Sequence, residues 1–118
     1  MAQEVYPPTH PDRARVLLPL GDAYLARGDA DAAAGAFETA AGLLATPGES
    51  HVRSAVEARI GLARARAAQH RAADAAAALD QAAALLETHP QATHALRERL
   101  DAVRRELAAA RRPRHGVA

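Results

Sequence analysis

Residues 20–46, LGDAYLARGDADAAAGAFETAAGLLAT, align without a gap on residues 62–88, LARARAAQHRAADAAAALDQAAALLET, at a spacing of 42 residues. Leu20, Ala23, Ala26, Ala30, Ala33, Ala34, Ala36, Ala40, Ala41, Leu43, Leu44 and Thr46 fall on the same residue type in the second stretch, and Phe37 falls on Leu79. In an Ala-rich chain some of these matches carry little information; the paired leucines and the shared spacing carry more. Repetition at a period between about 20 and 50 residues marks a solenoid, in which each supersecondary unit buries its apolar face against its neighbours. Proteins built this way serve mainly to bind other chains.

Composition sets the limits around this repeat. The 118 residues make one domain with a modest core, and 49% of them are apolar. About three residues in ten are Ala, while the aromatics are one Phe and two Tyr. Ala is the best helix former, yet each one buries little area, so the expected core is wide and thin. There is no Cys, which excludes disulfides, thiolate metal sites and a cysteine nucleophile. Neither a signal peptide nor an apolar run of about 18 residues is seen, so the expectation is a cytoplasmic protein without a membrane partner.

All fifteen cationic side chains are Arg, and Lys and Asn are absent. Two readings of this usage stand side by side: a requirement for bidentate or stacked contacts to carboxylate or phosphate, and the codon bias of a GC-rich genome.

Residues 1–11 carry Pro7, Pro8 and Pro11 and read as an extended lead-in without regular structure. Asp12 is a candidate helix N-cap, and Val16, Leu17, Leu20, Tyr24 and Leu25 recur at helical spacing up to a stop at Gly28. Pro19 either kinks this helix or marks its start, since an interior Pro costs roughly 3 kcal/mol. Asp29 or Asp31 caps a second helix that runs to about Ala45 and carries Phe37, Ala40, Ala41 and Leu44 on one face. After the break at Thr46, Pro47, Gly48 and Glu49, Ser50 caps a third helix ending near Gln69 and His70. A fourth extends from about Arg71 to Glu87, and Pro90 suits the first position of a fifth.

The fifth helix, about 90–111, has one narrow stripe of Leu96, Leu100, Val103 and Leu107 among charged residues. It reads as a capping helix that closes the stack, with a dimer seam as the alternative use of the same stripe. Residues 112–118 read as a basic tail. The fold class is therefore all-α, with about five helices arranged as antiparallel helix-turn-helix repeats and a terminal cap.

With those positions assigned, residues 14–47 resemble a tetratricopeptide repeat. Leu20 and Gly21, Tyr24, the turn residue Gly28, and then Ala33, Phe37 and Ala40 stand where that family places its signature residues. Ala45 stands where the family closes with Pro, and Pro47 follows two residues later. The second copy, about 56–89, keeps Leu62, Ala75, Leu79 and Ala82 but has Ala63, Arg66 and His70 at the Gly, Tyr and turn-Gly positions. A period of 42 against the family's usual about 34 is similar to the stretched repeats of bacterial regulators and adaptors. The resemblance spans about residues 12–111 and implies a right-handed stack, a short solenoid whose first helices line a concave face for a peptide or partner helix. Some members grip a C-terminal carboxylate with Lys and Asn; with neither residue here, that version is not implied.

No catalytic, cofactor or metal site emerges from the motifs. The six histidines form no i, i+4 pair, and there is no phosphate loop, nucleophile elbow or carboxylate pair. The expectation is a non-enzymatic protein without cofactor. Charge is uneven: residues 1–48 hold three Arg against six acids, and residues 49–118 hold twelve Arg against eight. If the third and fifth helices are neighbours, their arginines share a basic surface suited to an acidic protein partner or, as a second reading, to nucleic acid. The partner-binding candidates on the first-helix side are Leu18, Asp22, Leu25, Arg59, Arg66 and Arg104. A self-associating structural role through the Leu96–Leu107 stripe, giving a homodimer, is the third reading.

Overall fold

A computed structural model describes residues 13–45, 51–89 and 94–111. They form five helices and, among the described residues, no strand: α1 Ala14–Ala26, α2 Ala30–Leu43, α3 Val52–Ala68, α4 Ala72–Thr88 and α5 His94–Arg111. The expected caps Asp12 and Ser50, the breaker at 46–49, Pro90, the lead-in and the basic tail lie outside the described residues. His51 stands at the N-cap of α3.

The α1–α2 connection follows from two residues. Gly28 takes φ 81, which ends α1 in a left-handed turn at little steric cost. Asp29 then caps α2, its Oδ1 accepting from the Ala32 N–H at 3.2 Å. Asp31 instead lies in the first turn of α2 and accepts from Nε2 of Gln69, the C-cap of α3, at 2.7 Å.

The α3–α4 turn has the same hydrogen bonds 42 residues later. Asp29 N donates to Tyr24 O at 2.9 Å, and Arg71 N to Arg66 O at 2.8 Å. Gly28 N reaches Leu25 O just as His70 N reaches Ala67 O. His70 therefore has to adopt φ 64, a conformation that Gly takes freely and His does not.

Pro19 does not start α1, which begins five residues earlier and continues through it. Both Pro19 and Arg15, whose carbonyl loses its helical partner, are exposed, so water can satisfy that oxygen. The apolar stripe expected on α1 divides in two. Leu17, Leu18, Tyr24 and Leu25 are half-buried against the core, whereas Val16 is 69% and Leu20 40% exposed. They lie on the side of α1 that no described helix covers.

Packing runs α1 on α2, α2 on α3 and α3 on α4; α3 also touches α1 and α5, and α5 lies on α4. Phe37, Leu44, Val56, Ile60 and Leu86 are the largest fully buried side chains, and buried Ala fills much of the remainder. Gly21 and Gly61 face the Phe37 ring from α1 and α3. A Cβ on Gly21 would lie 2.6 Å from Cζ, and one on Gly61 would lie 2.5 Å from Cδ1 and Cζ. Helix α5 turns Leu96, Leu100 and Val103 into the core and half-buries Leu107, so this stripe is covered within the chain. Among the described residues no helix is long and apolar enough to cross a membrane.

Candidate partner-binding groove

Helices α1, α3 and α5 each present one edge to a common groove. α1 contributes Leu18 and Asp22, α3 contributes Glu57, Gly61 and Arg64, and α5 contributes Arg99, over a floor that includes the Phe37 ring. The enclosed space is about 220 Å³. Gly61 lines it where α3 crosses Phe37, whose ring takes the space that a side chain on Gly61 would need.

The groove is electrically divided. Asp22 and Glu57 carry negative charge, while Arg64 and Arg99 carry positive charge toward α5. Glu57 has Arg53 at 3.9 Å, and Arg64 donates to Glu106 Oε1 at 2.9 Å. Asp22 and Arg99 have no ion-pair partner among the described residues. Arg64 Nε is buried and without a hydrogen-bond partner, which leaves a donor unsatisfied beside the groove.

Of the six residues singled out for contact, the structure brings Leu18 and Asp22 together here, and the others point elsewhere. Leu25 is half-buried against the core. Arg59 donates to Gln81 Oε1 of α4 at 2.8 Å, and desolvation by burial lowers its pKa. Arg66 reaches Glu38 of α2 at 3.3 Å, and Arg104 reaches Asp80 of α4 at 3.0 Å. Glu57, Gly61, Arg64 and Arg99 were missed as groove residues. The signal for them is a helical register: Glu57, Gly61 and Arg64 recur at spacings of four and three on one edge of α3.

A larger cavity of about 390 Å³ lies between the α3–α4 turn and the C-terminal half of α5. Its walls include Ala67 and Leu79, which stand where the first copy has the larger Leu25 and Phe37. The smaller residues leave space where the α4–α5 junction is underfilled. Its charged pair, Asp80 and Arg104, is already mutually satisfied, so the groove with unpaired charge is the better candidate for recognition. Among the described residues, no group of three or more His, Asp or Glu is placed to hold a metal ion.

Compared with protein-family models, with curated proteins and with solved structures, the chain matches none. What the structure defines, among the described residues, is a compactly packed all-helical arrangement of five helices.

Proposed function

We propose that this chain is a short tetratricopeptide-like module of two helix pairs closed by α5, and that it acts without catalysis, as an adaptor or as the sensory or docking unit of a bacterial regulatory system. What supports the repeat reading is the set of turn hydrogen bonds shared at a spacing of 42 residues. Most buried positions correspond as well: Ala33, Ala36, Phe37 and Ala40 of α2 and its C-cap Leu44 match Ala75, Ala78, Leu79, Ala82 and Leu86 of α4, whereas buried Ala34 and Ala41 match exposed Ala76 and half-buried Ala83. The polar ties correspond too, because Glu38 and Asp80, again 42 apart, each receive an Arg from the following helix.

The observation that carries the binding reading is the pair of unpaired charges, Asp22 and Arg99, at the two sides of the α1–α3–α5 groove. A peptide or helix that lays an apolar side chain on Leu18 and Gly61 would place a basic group toward Asp22 and an acidic one toward Arg99. Opposite charges at the two sides fix direction and register more than affinity.

Affinity capture from the source lysate, with nuclease treatment and at two salt concentrations, tests this. A discrete protein should be retained by the natural chain and by Arg105→Glu, whose site lies outside the groove, and lost by Arg99→Glu and by Asp22→Arg. Retention by all four chains would refute the groove assignment. The nucleic-acid reading predicts instead a nuclease-sensitive species that is released steeply with salt. It is weakened by the ties of Arg59, Arg64, Arg66, Arg97 and Arg104 to groups on neighbouring helices.

A further inference from the structure

The exposed pair Val16 and Leu20 has buried counterparts elsewhere in the chain. Forty-two residues on, Ala58 and Leu62 of α3 are 0% and 9% exposed, and Ala58 shares a core cluster with Ala40 and Ala41 of α2 and its C-cap Leu44. Thirty-eight residues further, Leu96 and Leu100 of α5 are each 4% exposed, in a cluster with Leu79, Ala82 and Leu86 of α4. The same face of three successive first helices is thus covered by a helix in α3 and α5, and by no described helix in α1. The two large apolar side chains with high exposure among the described residues both lie on it. Their positions call for a helix-shaped cover.

The charges beside this face select the cover. Arg15 and Asp22 are seven residues apart, so at about 3.6 residues per turn they line the same edge of the Val16–Leu20–Ala23 stripe. Both are exposed, and neither has an ion-pair partner among the described residues. When two α1 helices run antiparallel about a two-fold axis level with residue 18, Val16 of one copy faces Leu20 of the other. In the same arrangement the Arg15 edge of one copy meets the Asp22 edge of the other, twice by symmetry.

We propose that a second copy of this chain covers α1, in an isologous pair built on Val16 and Leu20 and flanked by Arg15–Asp22 pairs between copies. Two-fold pairing is the commonest form of self-association, and it makes each surface its own complement. The stripe is short, so the interface falls below the roughly 1,200 Å² of a stable complex. The dimer is accordingly a weak one, formed at high local concentration. This proposal does not depend on the groove binding a partner, although Asp22 stands at the edge where the two surfaces meet.

Sedimentation velocity on the full chain, from about 10 μM to 1 mM, tests it, with circular dichroism as the folding control. The natural chain should shift from monomer toward dimer across this range. Leu20→Glu should weaken the dimer at least tenfold with unchanged helicity, since Leu20 lies at the surface. Arg15→Asp should weaken it through like charge, and the double exchange Arg15→Asp with Asp22→Arg should restore it. A natural chain that stays monomeric to 1 mM overturns the proposal. A dimer that is indifferent to Leu20→Glu, or one that the double exchange fails to restore, overturns it equally.

Discussion

Gly61 of α3 and Phe37 of α2 occupy one space: the ring sits where the β-carbon of any other residue at position 61 would be. Gly21 of α1 meets the same ring, where a β-carbon would lie 2.6 Å from Cζ. The single Phe of the chain thus packs on two bare stretches of helix backbone, and the approach of α1, α2 and α3 depends on both. Gly61→Ala should therefore destabilise the protein by about 1–3 kcal/mol, even though Ala gains about 1 kcal/mol over Gly in helix propensity. Urea denaturation of Gly61→Ala, Phe37→Leu and the double variant checks this. The double variant should recover part of the loss, and simple additivity would show that the two residues do not compete for space.

Gly35 and Gly42, also on α2, should respond with the opposite sign. A β-carbon at either position meets nothing within 4 Å, and both residues are exposed. Replacing each by Ala should stabilise the protein by roughly 0.5–1 kcal/mol, because only the flexibility of the unfolded chain is reduced. Thermal unfolding of the two single variants measures the gain, and a fall in Tm would show that α2 uses this smooth side.

His70 has φ 64 at the turn where the first copy has Gly28. His70→Gly should raise stability by about 0.5–1 kcal/mol, the relief of left-handed strain being partly offset by a more flexible unfolded chain. Gly28→Ala should lower it by about 1 kcal/mol. Equilibrium denaturation of both variants tests whether the two turns are physically equivalent.

Leu100 faces the core from α5 at 4% exposure. Leu100→Ala should cost about 2–4 kcal/mol, and Leu100→Glu should cost more, since it places a carboxylate among Leu and Val. Denaturant midpoints read the loss. If Leu100→Glu retained full stability and altered only the oligomeric state, the stripe would be a seam between copies rather than part of the core.

Five helices and both turn positions are legible in the residues because each signal is local: apolar spacing within a helix, and Gly28 or the Gln69–His70 pair at its end. The partner of Gly61 is not local. Matching at a spacing of 42 residues sets Ala63 opposite Gly21, and nothing in the neighbourhood of Gly61 reveals that it also meets Phe37, 24 residues earlier. The arginines illustrate a second limit. Helix membership alone places Arg59, Arg66 and Arg104 on a shared binding face, yet their ends go to Gln81, Glu38 and Asp80. A long side chain follows whichever neighbouring helix offers an acceptor, and that choice is made by the packing. Val16 and Leu20 show a third: their spacing is that of a buried face, but burial requires a covering helix that the described residues do not supply.

The principal contacts join helices one or two places apart along the chain. The molecule therefore closes no long loop when it forms, and such short-range wiring favours refolding in milliseconds or less. The same wiring makes its two ends nearly independent. α1 and α5 can fray or exchange amide hydrogens without opening α3, which touches every other helix and should be the last segment to surrender its protection.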